Sequence, residues 1–109
     1  MTGRADPGPV FAALADPTRR TLLRALGDRG QATATELAAD VPVSRQAVAK
    51  HLQLMAEAGL VAGERRGREQ RYRPEPTALD DAARWLAETG ADWERRLDRL
   101  RRALEPDDR

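Results

Sequence analysis

The segment 33–74 constrains the fold more than any other part of the sequence, because it contains start and stop signals for two helices in close succession. Thr33 and Glu36 have the spacing of a capping box, in which each side chain binds the backbone N–H of the other residue at a helix N-terminus. Ser44 is a favoured N-cap for a second helix. Gly59 stands where glycine is expected just after that helix. The pattern predicts two helices joined by a short turn.

A basic β-hairpin is predicted after the second helix. Two strand-like runs in residues 60–74 flank a turn at Gly67. The candidate DNA-binding residues of this segment are Arg65, Arg66, Arg68 and Arg71. A helix-turn-helix with a basic hairpin is how winged-helix domains bind DNA, with the second helix in the major groove and the hairpin against the backbone. The segment therefore predicts a DNA-binding unit with a two-stranded wing.

The second helix has an apolar face and a polar face. At about 100° per residue, Val48, Leu52 and Met55 form one stripe that is expected to pack on a core. The candidate DNA-binding residues of the opposite face and the N-cap are Ser44, Arg45, Gln46, Ala49, Lys50 and Gln53. Arginine and lysine can bind guanine O6 and N7, and glutamine can bind adenine. A polar face is often only solvated, but the adjoining basic hairpin favours contact with DNA.

Charge is distributed unevenly along the chain. There are 19 basic and 18 acidic residues, so the formal net charge is only +1. Residues 44–73 hold seven basic and three acidic side chains, whereas residues 74–109 hold seven basic and ten acidic ones. The positive excess lies on the predicted DNA-binding unit, where it is expected to orient the protein on a polyanion.

Length and composition exclude several classes of protein. A chain of 109 residues is expected to form one domain. Because it has no cysteine, no apolar run that could span a membrane and no signal-peptide pattern, we expect a cytoplasmic protein without membrane contact. The only histidine, His51, is expected to be packed and hydrogen-bonded or to contact a phosphate. Neither a catalytic set nor a metal cluster is visible, so we expect no enzyme activity, metal or cofactor.

The flanking segments are predicted to be helical, which gives a mainly α fold of about five helices. Asp16 and Pro17 start a helix as N-cap and first helical residue, and a loop is predicted at 28–32. Thr77 and Asp80 have the spacing of a second capping box. Residues 1–8 are expected to be a disordered tail, residues 9–104 a single winged helix-turn-helix domain, and residues 105–109 a charged tail.

The last predicted helix is longer than one small domain can cover. From about residue 78 to residue 104 it would extend on the order of 40 Å, with Gly90 as a candidate break because glycine weakens helix interiors. Its apolar stripe could be covered within its own protomer, but its length favours a homodimer, which would bind an inverted repeat in double-stranded DNA. The residues expected at the dimer interface are Val10, Phe11, Leu14, Leu86, Trp93, Leu97, Leu100 and Leu104.

Five short motifs together resemble the ArsR-type winged-helix regulators of bacteria, and the resemblance spans residues 10–104. The motifs are FAALADPTRR at 11–20, TELA at 35–38, SRQAVAKHL at 44–52, AGLV at 58–61 and GREQRY at 67–72. The resemblance implies a homodimer built from the first and last helices, with a recognition helix at 44–58 and a wing at 61–74. It also implies repression by occupation of a promoter until a signal releases the protein.

Two familiar metal sites of that family are missing here. Thr33 and Thr35 stand where metal-sensing members carry a Cys-x-Cys pair, and the last helix lacks histidine. The resemblance therefore implies the metal-independent subgroup, whose members often repress their own and neighbouring genes. Ala49 stands where many members have serine, which removes one expected DNA contact.

Two alternatives stay open at this point. The chain could be a winged-helix adaptor that binds proteins and has lost DNA binding, although an adaptor has no need of several arginines on one hairpin. A small-molecule effector of unknown identity could bind between the terminal helices near Trp85 and Trp93, although tryptophans more often only pack in a core.

Overall fold

Five helices and a small antiparallel sheet make up residues 6–105, the part of the chain that the structure, a computed structural model, describes. In chain order the elements are α1 (Gly8–Leu14), α2 (Pro17–Arg29), β1 (Ala32–Thr33), α3 (Ala34–Ala38), α4 (Arg45–Glu57), β2 (Val61–Arg66), β3 (Glu69–Pro74) and α5 (Pro76–Leu104). The predicted mainly α, winged helix-turn-helix fold with a long last helix is confirmed. Of the predicted tails, residues 1–5 and 106–109 lie outside the described residues, and α1 includes residue 8.

The hydrophobic core lies where α2, α3 and α4 meet the base of the sheet. Its largest fully buried side chains are Leu22, Leu26, Leu37, Val48, Leu52, Met55 and Leu60. Within α2 and α4 these residues recur at three- and four-residue spacing, which places them on one face of each helix. Burial of these faces fixes the orientation of α4 and thereby determines which of its side chains point away from the core.

The predicted starts of α3 and α4 are confirmed by their hydrogen bonds. The Thr33 hydroxyl accepts the Glu36 N–H at 3.1 Å, and the Glu36 carboxylate accepts the Thr33 N–H at 2.9 Å, which completes the capping box. The Ser44 hydroxyl accepts the N–H of Ala47 at 3.1 Å. Local polar side chains thus satisfy backbone N–H groups that have no partner within the helices.

The turn after α4 places the hairpin and α5. Gly59 has φ +81°, and the N–H groups of Gly59 and Leu60 bind the carbonyls of Ala56 and Met55 at 3.0 and 2.9 Å. This is the hydrogen-bond pattern of a Schellman motif, and the predicted end of the helix is confirmed. A Cβ atom at position 59 would lie only 3.3 Å from the Cβ of Ala78, so glycine also permits the close approach of α5.

The two-stranded hairpin wing is present as predicted, but the sheet has a third strand, β1. The prediction of a loop over 28–32 was wrong at both ends, because α2 continues to Arg29 and β1 begins at Ala32. After α2, Gly30 turns the chain with φ +83°, and β1 pairs antiparallel with β3 through Ala32–Tyr72 and Thr33–Arg71. The strand order is β1-β3-β2. A two-residue strand has no periodic pattern of its own, and it forms because β3 offers it a free edge.

The start of α5 also differs from the prediction. Thr77 and Asp80 do not form a capping box: Glu75 is the N-cap, and the Thr77 hydroxyl bonds to the Glu75 carboxylate at 3.3 Å. Pro76 starts the helix because its fixed φ suits the first helical position. The helix then continues without a break through Gly90. It extends well beyond the core, and the protomer measures 76 × 37 × 19 Å.

Candidate nucleic-acid interface

The polar face of α4 is exposed, as the periodicity predicted. Val48, Leu52 and Met55 have no exposed surface, so the helix sits on the core in one orientation. Of the predicted residues opposite them, Ser44, Arg45, Gln46, Lys50 and Gln53 are exposed, and Ala49 is half-buried. The donors and acceptors of this face are of the types that bind base edges and phosphates.

The wing is a regular hairpin with a two-residue turn at Gly67 and Arg68. Gly67, the first turn residue, has φ +61°, whereas Arg68, the second, does not have a positive φ. This combination is that of a type II′ turn. A Cβ atom at Gly63 would lie 2.6 Å from the Gln70 side-chain nitrogen and 3.1 Å from the ring of Tyr72. Glycine at this position therefore lets both side chains lie across β2.

The arginines near the wing tip differ in their partners. Arg65 and Arg68 are exposed, and neither has an ion pair within residues 6–105. The Arg66 guanidinium bonds to the Glu64 carboxylate at 2.9 Å, with 58% of its side-chain surface exposed. Arg65 and Arg68 can therefore bind phosphates without giving up a partner in the described chain, whereas Arg66 must exchange one.

Arg71 lies in a different environment at the base of the wing. Its guanidinium bonds to the carboxylates of Glu69 and Glu36 at 3.3 and 3.4 Å, and only 24% of its side-chain surface is exposed. The hydrogen bond from the Thr33 N–H lowers the pKa of Glu36 below its usual value, and the charge of Arg71 acts in the same direction against the effect of burial. Glu36 is therefore held as a carboxylate beside Arg71.

A groove of about 440 Å³ separates the N-terminal end of α4 from the wing. Arg45 and Ala49 border it on the α4 side, and Arg68 and Tyr72 border it on the wing side. The structure thus brings the first turn of α4 and the wing tip to one groove. The remaining predicted residues of α4 lie on the exposed face of that helix, outside the groove lining. The groove also has Glu36 and Glu69 in its lining, so positive charge is concentrated at Arg45 and Arg68 and is not spread over the whole groove.

His51 lies on α4 beside the N-terminal helices. Its Nδ1 is 3.3 Å from Nη1 of Arg19, and because a guanidinium can only donate, Nδ1 is the acceptor. Arg19 also donates to the carbonyl of Ala13 at 2.7 Å and forms a salt bridge with Asp16 at 3.6 Å. The hydrogen-bonded histidine expected from the sequence is confirmed, but sequence reasoning missed its partner.

The predicted dimerisation residues fall into two environments. On α5 the exposed side chains and their exposed fractions are Leu86 54%, Trp93 56%, Leu97 39%, Leu100 54% and Leu104 74%. On α1, Val10 is only 3% exposed and belongs to the core of its own protomer, whereas Phe11 and Leu14 are half-buried. Trp85 contacts Phe11 edge-to-face, with 5.7 Å between ring centroids. Large apolar side chains are therefore exposed along α5 from position 86 to position 104.

Neither a metal cluster nor a membrane helix occurs in the described part of the chain. Within residues 6–105, no group of three or more His, Cys, Asp or Glu side chains is placed to hold a metal ion. No helix there combines the length and apolarity needed to cross a membrane. Trp93, considered above as a wall of an effector pocket, instead lies under the guanidinium of Arg96, which is 5.5 Å from the ring centroid.

The helix-turn-helix unit matches known regulators in sequence. Residues 14–64 match the family model described as a helix-turn-helix domain. The chain is 40% identical over 74 residues to the uncharacterized HTH-type transcriptional regulator YuzN of Bacillus subtilis, covering 62% of this chain and 78% of YuzN. It is 32% identical over 77 residues to the transcriptional repressor SdpR of the same organism, covering 71% of this chain and 84% of SdpR.

Solved structures of transcriptional regulators resemble this protein over more of the chain than the sequence relatives do. An ArsR-like transcriptional regulator from Rhodococcus sp. RHA1 superimposes with a TM-score of 0.82 and 44% identity, covering 93% of this chain and 94% of that one. The protein belongs to the ArsR family of winged-helix transcriptional regulators. A homodimeric winged helix-turn-helix DNA-binding domain from Mycobacterium bovis also superimposes on this ArsR-family regulator, with a TM-score of 0.59, 28% identity, and coverage of 84% and 91%.

Family membership establishes the general function of the protein. This ArsR-family regulator is a DNA-binding regulator of transcription, and the DNA-binding function predicted from the sequence is confirmed. In this fold α4 occupies the position of the recognition helix, and the β2–β3 hairpin occupies that of the wing. The adaptor that has lost DNA binding is thereby disfavoured.

Proposed function

We propose that this ArsR-family regulator is a cytoplasmic homodimer that represses its own and neighbouring genes by occupying an inverted repeat in their promoter. The observation that carries the proposal is the groove with Arg45 on its α4 side and Arg68 on its wing side. A double helix whose major groove receives α4 offers base edges to Arg45 and phosphates to Arg68, since the wing lies beside the same end of the helix. SdpR, a relative named as a repressor, supports the direction of control.

The apolar face of α5 supports the homodimer. Leu97 and Leu100 are 39% and 54% exposed in the protomer, and burying such side chains contributes about 25 cal/mol per Å² of apolar surface. A second copy of the same helix offers a self-complementary partner, as two-fold dimers require. The homodimeric domain from Mycobacterium bovis, which shares the fold, supports this assembly.

The DNA contacts divide into two kinds. We assign base recognition to Arg45 and Gln46, which lie at the N-terminal end of the recognition helix, the part that reaches base edges in helix-turn-helix proteins. The side chains assigned to the phosphate backbone and to positioning are Ser44, Lys50, Gln53, Arg65, Arg66 and Arg68, with Ala49 allowing close approach of α4. Each protomer repeats this set, so the target should be an inverted repeat.

Recovery and sequencing of DNA bound by the purified full chain tests the proposal. The expected result is an inverted repeat whose half-site centres lie about 10–10.5 base pairs apart, with a match upstream of the gene itself. Deletion of the gene should raise expression from that promoter. A single unrepeated half-site, or a deletion that lowers expression, would contradict the homodimeric repressor.

We further propose that the regulator responds without a metal ion. The hydroxyl of Thr33 already accepts the Glu36 N–H at 3.1 Å within the capping box, so it is poorly placed to bind a metal. Thr35, the second residue at the position of the family's cysteine pair, is an exposed alcohol and a weak metal ligand. DNA affinity should therefore be the same in the presence of zinc and in the presence of a chelator. A zinc-dependent release from DNA would contradict this.

A further inference from the structure

The wing is attached to the rest of the protomer mainly at its base. β3 pairs with β1 through two residues, and Thr33 of β1 lies opposite Arg71 of β3. Farther along, β2 and β3 pair only with each other up to the turn at Gly67. A narrow two-stranded ribbon of this kind is weakly held and twists easily. Its position relative to α4 therefore depends on contacts near its base.

Arg71 makes such a contact where β3 pairs with β1, next to the start of α3. From β3 its guanidinium reaches Glu36 at 3.4 Å, one turn into α3, while its Nε binds Glu69 of its own strand at 3.3 Å. The same oxygen of Glu36 accepts the Thr33 N–H at 2.9 Å. The capping box of α3 therefore holds the carboxylate in place, and Arg71 links the wing to that fixed group.

We propose that Arg71 is a positioning residue that holds the wing at the correct distance from the recognition helix by binding Glu36, and that it is not a phosphate contact. This inference rests on the proposed use of the wing against the DNA backbone. It reassigns one of the arginines that the sequence predicted to bind DNA.

Burial and charge both favour this role over a phosphate contact. Arg71 exposes 24% of its side-chain surface, against 58% for Arg66 nearer the tip. Glu36 and Glu69 both border the groove between α4 and the wing. If Arg71 turned towards a phosphate, it would leave these two carboxylates facing the polyanion without a cation. Their repulsion from the DNA would offset the attraction between Arg71 and the phosphate.

Replacement of Glu36 distinguishes a positioning role of Arg71 from a phosphate contact, because the two roles predict opposite changes in DNA affinity. Glu36→Gln keeps an acceptor for the Thr33 N–H, because glutamine also completes a capping box, but it removes the charge that binds Arg71. If Arg71 positions the wing, specific DNA binding by the full chain should weaken about threefold or more, the size expected for a partly exposed ion pair. If Arg71 contacts a phosphate, Glu36→Gln frees it and removes a negative charge from the groove. Binding that is unchanged or tighter would therefore overturn the proposal.

Asp40→Asn is the matched control, because it makes the same change of charge beyond the other end of α3. Asp40 pairs with Arg29 of α2 at 3.1 Å and does not touch the wing. DNA binding by Asp40→Asn should not weaken. A loss equal to that of Glu36→Gln would show a general effect of charge or stability and would overturn the role of Arg71.

A double-variant cycle gives the second readout. In the Arg71→Gln background, Arg68→Ala should weaken DNA binding by less than half of the fold-change that it causes in the wild type, because the wing tip is no longer held against the DNA backbone. An equal fold-change from Arg68→Ala in both backgrounds would overturn the proposal. In the free protein, ¹⁵N relaxation should show a more mobile amide at Gly67 in Arg71→Gln than in the wild type. An unchanged mobility of the Gly67 amide would also overturn the proposal.

The same measurements distinguish failure of the inference from failure of the proposed function. A wild-type chain without DNA affinity would overturn both. A wild-type chain that binds DNA tightly, with affinity insensitive to Glu36→Gln, would overturn only the positioning role of Arg71. Because Glu36→Gln keeps the capping box, its result decides the question even if Arg71→Gln lowers the stability of the protein.

Discussion

Arg19 of α2 donates a hydrogen bond to Nδ1 of His51 on the recognition helix, with 3.3 Å between the two nitrogens. The same guanidinium donates to the carbonyls of Ala12 and Ala13 at 3.3 and 2.7 Å, near the C-terminal end of α1. One side chain, only 16% exposed, therefore joins α1, α2 and α4. The helix that is proposed to contribute to the dimer and the helix that is proposed to bind DNA therefore share hydrogen bonds to one arginine, in addition to their direct contact.

Arg19→Ala should lower the free energy of unfolding by about 2 kcal/mol, because it leaves the Ala13 carbonyl and the His51 imidazole, which are partly buried, without a charged donor. Urea denaturation followed by circular dichroism measures this. Arg20→Ala is the control: Arg20 is exposed and binds the Leu14 carbonyl alone, so its loss should be smaller. Equal losses for the two variants would contradict the special role of Arg19.

Leu97→Glu should convert the proposed dimer into a monomer at micromolar concentration, because it places a charge in the apolar face of α5. Sedimentation velocity measures the mass. Arg102 lies on the opposite side of the same helix, so the Arg102→Glu variant should remain dimeric and serves as the control. A wild-type chain that sediments as a monomer while binding its DNA tightly would contradict the dimer.

Arg45→Ala and Gln46→Ala should each weaken binding to the specific site by about 1–3 kcal/mol and relax the preference at one or two base positions. Affinities for a library of single-base variants of the site measure both effects. Variants that bind every sequence equally less well would show that these residues position the protein without recognising bases.

Arg68→Ala should reduce the salt dependence of binding while leaving the sequence preference largely unchanged. Each lost phosphate contact lowers the slope of log K against log salt by about 0.9, and two wings double the change to about 2. Isotherms at three salt concentrations measure the slope. Arg84→Ala, which removes an arginine paired with Asp81 on α5, should leave it unchanged. A slope unaffected by Arg68→Ala would remove the wing tip from the interface.

The pKa of Glu36 is lowered by the Thr33 N–H bond and by Arg71, which predicts a pH-dependent stability. A carboxyl with a lowered pKa in the folded state stabilises the protein above its unfolded pKa of about 4.3, and this stabilisation is lost as the pH falls through the folded pKa. The wild type should therefore be more stable than Glu36→Gln at pH 7, and the difference should shrink below about pH 4. Urea denaturation at both pH values measures it. A difference that does not change with pH would contradict the prediction.

Local signals determined most of the helix-turn-helix. Ser44 and Gly59 bound α4 as predicted, because a cap and a left-handed glycine act through hydrogen bonds to residues within a few positions. Val48, Leu52 and Met55 were assigned to the core by spacing alone, since the helical period determines which side chains share a face. The exposure of the polar face of α4, and hence the candidate recognition residues, followed from the same period.

The limits of local signals appear at the start of α5 and at β1. The pattern at Thr77 and Asp80 has the spacing of a capping box, but Pro76 started the helix earlier and Glu75 took the N-cap position. The third strand, β1, has no pattern of its own and exists because β3 lies beside it.

The sequence by itself determined that the chain forms a basic winged helix-turn-helix with an amphipathic last helix, because those features depend on neighbours along the chain. Only the tertiary structure decided which partners the arginines have. Arg71 meets Glu36 across 35 positions, and Arg19 meets His51 across 32. Which arginine stays free for a phosphate, and which is held by a carboxylate or a carbonyl, depends on distances that arise only when the sheet packs against the helices.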